Sequence, residues 1–113
     1  MLKVYLNRLY HMLDAINDIV DFSKNKNRID LEKNKMLSYS LIHLLELIGE
    51  AANGISSESQ NNYSSIPWKA IIGMRNRLIH GYFDIDLDIV WKTVSEDIPK
   101  LKKEVEKIIK NKK

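Results

Sequence analysis

The chain has 113 residues, 44% of them hydrophobic, with 18 Lys and Arg against 15 Asp and Glu and no cysteine. This length predicts one domain, residues 1–113, with a single modest core. The absence of cysteine excludes disulfides, thiol catalysis and cysteine zinc sites. With no signal-peptide pattern and no apolar run of about 20 residues, we expect a cytoplasmic protein without membrane association. The net charge of +3 is too small to identify a nucleic-acid binder by itself.

Four long segments repeat apolar residues at three- and four-residue steps, which predicts an all-α, antiparallel bundle of four to five helices and no strand. The first helix ends at the polar run 23–28. The second begins with Asp30 or Asn34 as its N-cap and closes at Gly54. Residues 56–65 are predicted to form a polar loop. The inner faces of the first two helices are Leu2, Tyr5, Leu6, Leu9, Met12, Leu13, Ile16, Ile19 and Val20, and then Leu37, Leu41, Leu44, Leu45, Ile48, Ala51 and Ala52.

The third predicted helix runs from about Pro67 to His80 and contains an arginine that its pattern does not explain. At about 100° per residue, Arg75 falls in the centre of the apolar face, where a leucine is expected. An unpaired buried guanidinium costs several kcal/mol, so it must face a carboxylate, a ligand or a solvent-filled groove. One interpretation is a structural ion pair with Glu46 or Glu50 on the second helix. The apolar residues sharing this face are Trp68, Ile71, Ile72, Leu78 and Ile79.

The C-terminal part predicts one helical segment from Leu87 to Val94 and a final helix that starts afresh at Ser95. Pro99 is compatible with a first turn but would kink a continuous helix. Two glycines lie inside predicted helices, where each costs about 1 kcal/mol relative to alanine. We therefore interpret Gly49 and Gly73 as points where the second and third helices approach closely.

The spacing of the polar residues near the end of the third helix suggests a shared site. His80 is four residues from Asn76, so the two side chains are neighbours on one helix face. Arg75 is five residues from His80, about 140° around the helix, so the pair diverges within one chain. A second copy about a two-fold axis would bring both pairs into one cleft. A histidine in a last turn also interacts favourably with the helix dipole, which is the simpler interpretation of His80.

Arginine, asparagine and histidine without an acidic cluster suit phosphodiester chemistry better than metal binding. On the second helix, His43, Glu46, Glu50 and Asn53 draw a polar stripe at three- and four-residue steps. One histidine and two carboxylates are unconvincing as metal ligands, so no metal site is predicted. We interpret the stripe as solvated or subunit-facing, with Glu50 or Glu46 supporting Arg75.

The ordered set of motifs resembles the HEPN superfamily, and specifically the HepT-like toxins of toxin–antitoxin pairs. The signature is an arginine, a polar residue, three further residues, a histidine, and a tyrosine two positions later. It is complete here as Arg75, Asn76, Arg77-Leu-Ile, His80, Gly81 and Tyr82. The resemblance also covers Ile48-Gly-Glu-Ala-Ala52, Ile66-Pro-Trp-Lys-Ala-Ile-Ile-Gly-Met-Arg75, Phe83-Asp-Ile-Asp-Leu-Asp-Ile-Val-Trp91 and Asp97-Ile-Pro-Lys-Leu101.

This resemblance implies a homodimer in which two motifs form one composite ribonuclease site that needs neither metal nor cofactor. It implies an RNA substrate, mRNA or tRNA, with Arg75, Asn76 and His80 as catalytic residues. It also implies a cognate minimal nucleotidyltransferase, the antitoxin, that attaches AMP to Tyr82. Two alternatives stay open: a non-catalytic HEPN subunit that binds a nucleotide or supports a nucleotidyltransferase, and a bundle in which Arg75 only makes a structural ion pair.

Overall fold

The computed structural model describes residues 4–80 and 84–111, without the side chains of Val4, Arg75, Ile79, His80 and Asp84. The described chain is almost entirely helical, which confirms the all-α prediction. The elements in chain order are α1 (Val4–Ser23), α2 (Arg28–Lys33), α3 (Lys35–Asn53), α4 (Ser57–Asn62), α5 (Trp68–Ile72), α6 (Met74–Leu78), β1 (Ile79–His80), β2 (Asp84–Ile85), α7 (Leu87–Lys92), a π-helical segment (Thr93–Asp97) and α8 (Ile98–Lys110).

The core lies where α3 packs between α1 on one side and α5 and α6 on the other. Helix α8 packs on α1 and completes the bundle. The predicted inner faces are confirmed, because their central residues are fully buried. These are Leu9, Met12, Ile16 and Ile19 of α1 and Leu41, Leu45 and Ile48 of α3; Val105 of α8 is also fully buried. Within residues 4–80 and 84–111, no helix has the length and apolar character needed to cross a membrane.

The start of α3 confirms one of the two predicted N-caps. The side chain of Asn34 accepts a hydrogen bond from the Leu37 backbone N–H at 3.1 Å. Asp30 is not an N-cap; it lies in the first turn of α2, and its carboxylate accepts from the Asn27 N–H at 2.8 Å.

The sequence does not predict α2, because a six-residue helix is too short to show a periodic apolar face. Arg28 of α2 donates to Asp88 of α7 at 2.7 Å, and this hydrogen bond raises the pKa of the guanidinium.

The predicted loop 56–65 contains a helix, α4, so that prediction was wrong. Helix α4 buries no side chain, which is why no apolar pattern indicated it. It is held instead by polar contacts: Ser56 Oγ accepts from the Ser59 N–H at 3.2 Å. Its Gln60 side chain donates to the Ile55 carbonyl at 3.0 Å, and the Gln60 carbonyl accepts from Trp68 Nε1 at 3.0 Å.

The predicted helix from Pro67 to His80 is interrupted twice, which corrects the sequence prediction. It breaks at Gly73 between α5 and α6. It then ends at Leu78, because the Leu78 carbonyl accepts from the Asp86 N–H at 2.8 Å instead of from a following helical turn. Residues 79–80 form β1, which pairs antiparallel with β2 so that His80 lies opposite Asp84. The prediction that the chain has no strand is therefore wrong at this hairpin.

The predicted fresh helix start at Ser95 is also wrong, because α7, the π-helical segment and α8 are continuous. The Ile98 N–H donates to the Thr93 carbonyl, the wider step of a π-helix. This widening accommodates Pro99, which has no N–H to donate and would clash with a tighter preceding turn. Hydroxyl groups satisfy carbonyls in the same stretch: Ser95 Oγ donates to Trp91 O and Thr93 Oγ1 to Ile89 O, both at 2.7 Å.

Candidate functional site

The motif residues lie at the junction between α6 and β1. Arg75 and Asn76 are on α6, His80 is on β1, and Tyr82 lies outside the described residues. Two geometric arguments made from the sequence therefore fail, because both assumed one helix through His80. Asn76 and His80 are not neighbours on a helix face, and the 140° angle between Arg75 and His80 does not apply. His80 also does not lie in the last turn of a helix, so the dipole interpretation fails too.

Helix α6 is anchored by residues on either side of Arg75. Met74 is 5% exposed and Leu78 is fully buried, and they are four residues apart on one face. Asn76 and Arg77 are both exposed. The buried pair holds the short helix against the core, so the polar residues between them are presented from a fixed segment. The sequence predicted that the Arg75 side chain lies on the apolar face of its helix. That side chain is outside the described part of the structure.

A close approach between α3 and α5 sets the position of this segment. A Cβ atom at Gly49 would lie 3.1 Å from the Ile71 carbonyl oxygen and 3.7 Å from that of Ile72. This confirms Gly49 as a helix contact point. Gly73 is different, because the nearest atom to its Cβ position is the Lys69 carbonyl of its own helix, at 3.3 Å. Gly73 marks the break between α5 and α6 and not a crossing with α3.

The two acidic residues predicted to support Arg75 occupy different positions on α3. Glu46 is half-buried and lies three residues from Gly49, about 60° around the helix from the surface that meets α5. Glu50 is exposed and lines a groove of about 340 Å³ with Arg8 and His11 of α1. Glu46 is therefore nearer to the motif side of α3, and Glu50 nearer to the α1 side. Both supporting roles stay predictions.

The sequence did not predict a groove of about 440 Å³ between α5–α6 and α8. Its lining is mostly apolar and also includes charged residues of both signs, namely Arg77, Lys100, Lys103, Asp97 and Glu104. Lys100 and Lys103 are three residues apart on α8, a spacing that is typical of any solvated helix. The groove by itself therefore does not indicate a binding site.

Among residues 4–80 and 84–111, no group of three or more His, Cys, Asp or Glu side chains is placed to hold a metal ion.

The fold and the motif together define a small helical protein that carries an Arg-x4-His sequence where α6 passes into β1. The family model described as "Ribonuclease HepT-like" matches residues 12–108, which is most of the chain and includes the whole motif. The chain belongs to the HepT-like ribonuclease family. This confirms the resemblance seen in the sequence.

Similar proteins carry names of the same kind. A protein named "Putative RNase" from Methanocaldococcus jannaschii is 45% identical over 98 residues, covering 87% of this chain and 90% of that protein. A "Putative RNase" from Caldanaerobacter subterraneus subsp. tengcongensis is 35% identical over 105 residues, covering 93% and 94%. A "Probable ribonuclease HepT" from Thermococcus cleftensis is 36% identical over 110 residues, covering 97% of this chain and 100% of that protein. No solved structure matches the chain.

Proposed function

We propose that this chain is a metal-independent endoribonuclease that acts in the cytoplasm as the toxin of a toxin–antitoxin pair. It works as a homodimer with a composite Arg-x4-His site, and a cognate nucleotidyltransferase neutralises it by adenylylating Tyr82. The observation that carries this proposal is the family match over residues 12–108, which includes the complete motif from Arg75 to Tyr82. The names of the relatives supply the substrate class, RNA.

In the proposed reaction, the RNA 2′-oxygen attacks the adjacent phosphorus as the 5′-oxygen leaves. His80 takes the proton of the 2′-hydroxyl or gives one to the leaving oxygen, the acid–base role that histidine most often performs in enzymes. Arg75 stabilises the negative charge that builds on the phosphate. Asn76 orients the phosphate or the histidine, and its exposure on α6 is compatible with contact to substrate. The need for a 2′-hydroxyl accounts for RNA over DNA.

The proposal is tested by incubating the purified, unmodified protein with RNA in the presence of EDTA. We expect cleavage of RNA but not of a matched strand in which every 2′-hydroxyl is replaced by hydrogen. Cleavage products are resolved by gel electrophoresis, and product ends are identified by mass. Binding of nucleotide without cleavage of any RNA would reject the ribonuclease and favour the non-catalytic HEPN subunit. Cleavage that stops in EDTA and returns with added divalent cation would reject metal independence alone.

Modification of Tyr82 is expected to silence the enzyme. Coexpression with the cognate nucleotidyltransferase should increase the intact mass by one or more AMP units, and the modified protein should lose cleavage activity. The physical reason is that AMP adds bulk and a phosphate two residues from His80, where the phosphate competes with substrate for Arg75. Tyr82→Phe is the matched control, since it removes only the acceptor oxygen. An unshifted mass, or a shift that persists in Tyr82→Phe, would show that Tyr82 is not the modified residue.

A further inference from the structure

The excess positive charge of this chain is concentrated on α8. Five lysines and two glutamates give the 13 residues of this helix a net charge of +3. The whole chain has 18 basic and 15 acidic residues, so the remainder is balanced, with 13 of each, and α8 accounts for the entire net charge. The chain is therefore only mildly basic as a whole and yet carries one local basic surface, which is a common electrostatic feature of nucleic-acid binding.

Four of the five lysines of α8 form one row along its outer side. At about 100° per residue they fall within a sector of about 80°, and the row is about 15 Å long. The buried residues of the helix, such as Leu101 and Val105, lie on the opposite side. Glu104 and Glu106 flank the row on either side and do not interrupt it. We call this row the α8 lysine row; its members, all exposed, are Lys100, Lys103, Lys107 and Lys110.

The α8 lysine row does not serve the stability of the helix. Successive members are three or four residues apart, and like charges at these steps repel each other. Among residues 4–80 and 84–111, no member of the row makes an ion pair, and the Glu104 carboxylate instead accepts a hydrogen bond from Ser65 Oγ at 2.8 Å. The helix dipole accounts only for the two lysines of the last turn, Lys107 and Lys110. Contact with a polyanion would relieve the repulsion along the whole row.

The row begins beside the helix that carries the motif. Lys100 and Lys103 line the groove of about 440 Å³ between α5–α6 and α8, and Met74, the residue immediately before Arg75, lines the same groove. The groove is mostly apolar and contains charges of both signs, so it is not itself a site for a polyanion. It matters because it places the first two lysines of the row next to α6. Lys107 lines a second groove together with the end of α4, so the row leads away from the motif.

We propose that the α8 lysine row binds the sugar–phosphate backbone of the RNA strand to one side of the bond that is cut. This inference rests on the proposed function and adds a second contact region to it, within one protomer and outside the motif. Lysine ammonium groups act as point charges that neutralise phosphates and read no sequence. The row consists of lysines alone and offers no aromatic ring on which a base could stack. It therefore holds the strand by charge and independently of base sequence.

A strand fits this surface better than a membrane does. A helix that lies on a lipid surface inserts an apolar face between the headgroups. The apolar face of α8 is buried in the core of the bundle, so it is not available for insertion. A row that is one helix wide matches the backbone of a single strand. Since phosphates are the groups recognised, a strand without 2′-hydroxyls should bind to the row as well as RNA does.

Fluorescence anisotropy with a labelled, all-2′-deoxy single strand measures this binding without cleavage. Lys100→Gln, Lys103→Gln, Lys107→Gln and Lys110→Gln are combined in one variant. We expect its Kd to rise at least about 30-fold at about 0.15 M salt. The slope of log K against log salt should become shallower by about 2.8, because each phosphate contact contributes about 0.7. Glutamine resembles lysine in helix propensity, and circular dichroism checks the fold. If the fold is lost, Lys103→Gln with Lys107→Gln should give about half the change in slope.

A matched control removes the same number of charges elsewhere. Its four exposed lysines lie between the end of α1 and the start of α3, with Asp30 and Glu32 interspersed among them. We expect its Kd to stay within about threefold of the wild-type value, because at about 0.15 M salt charges more than about 8 Å from the strand are largely screened. The control combines Lys24→Gln, Lys26→Gln, Lys33→Gln and Lys35→Gln.

Four outcomes would overturn the α8 lysine row as an RNA-binding surface. They are a wild type that does not bind the strand, an unchanged Kd and salt slope in the folded row variant, equal losses in the row variant and the control, and binding to vesicles of anionic phospholipid without binding to the strand. The first three would do so even if the protein cleaves RNA. The expected binding behaviour without cleavage of any RNA would support the row and reject the ribonuclease.

Discussion

Replacing His80 with alanine is expected to reduce RNA cleavage by about 10²–10⁴-fold, because a positioned acid or base contributes a factor of that size. Replacing Arg75 with alanine is expected to reduce it by about 10²–10³-fold, through loss of charge stabilisation on the phosphate. The measurement is the single-turnover cleavage rate of a defined RNA with enzyme in excess. Under these conditions the rate reports on the chemical step and not on product release.

The structure provides a close control for Arg75. Arg77 lies two residues away on the same short helix, is exposed, and occupies a position at which the signature specifies no residue type. Arg77→Ala removes an equal charge from the same element, so we expect the single-turnover rate to change by less than about threefold, in line with the small effects of exposed charges. Equal losses in Arg75→Ala and Arg77→Ala would show that general positive charge, and not the motif, supports cleavage.

The stability of the variants separates catalysis from structure. If Arg75 only makes a structural ion pair, Arg75→Ala leaves a buried carboxylate without its partner and lowers the free energy of unfolding by about 3–5 kcal/mol. If Arg75 is catalytic, urea denaturation should give nearly the wild-type free energy while cleavage is lost. An unfolded Arg75→Ala variant together with a folded, fully active His80→Ala variant would favour the structural bundle over the enzyme.

The sequence predicted the long helices well because each has enough turns to repeat its apolar face. Helices α1 and α3 have 20 and 19 residues, and their central apolar residues are buried as expected. The failures concern short elements. Helix α4 has no buried side chain, and its start depends on Ser56 and the contacts of Gln60, which no periodic pattern records.

The candidate site was predictable in its residues but not in its geometry. The order of Arg75, Asn76 and His80 in the sequence was sufficient to indicate the family, and the family match confirms that indication. The end of α6 was not predictable, because it depends on Asp86, which donates to the Leu78 carbonyl from the far side of the hairpin. Local propensity does not contain such a contact, and the apolar Leu78-Ile79 pair suits either a helix or a strand.

The exposed apolar residues of α3 show a different limit. The apolar pattern of α3 indicated one inner face, and Leu47, Tyr39 and Met36 did not belong to it. Single exposed apolar residues are common and need no explanation, so each alone carried no signal. The structure shows that these side chains stay exposed on the outer side of α3. Periodicity alone did not indicate that exposure, because it locates only the inner face of a helix.

Gly49→Leu is expected to lower the free energy of unfolding by about 2–3 kcal/mol and to reduce the single-turnover cleavage rate by about 10²-fold. The Cβ would lie 3.1 Å from the Ile71 carbonyl, and a backbone atom cannot swing aside, so α5 must move. Because α5 leads into α6, the shift is transmitted to the motif, where a displacement of about 1 Å is enough for such a loss in rate. Urea denaturation measures the first effect, and cleavage well below the denaturation midpoint measures the second.

Gly54→Leu is the matched control, since both glycines belong to the same stretch of α3 and its cap. The nearest atoms to a Cβ at Gly54 belong to the Arg8 guanidinium, at 2.7 Å, and this exposed, flexible side chain can move into solvent. We therefore expect Gly54→Leu to change stability by less than about 0.5 kcal/mol, as is usual for surface substitutions, and to leave the cleavage rate unchanged. A Gly49→Leu variant as stable and active as Gly54→Leu would show that the contact between α3 and α5 does not position the motif. The same stability loss without a change in rate would show that α6 is held by Met74 and Leu78 independently of α5.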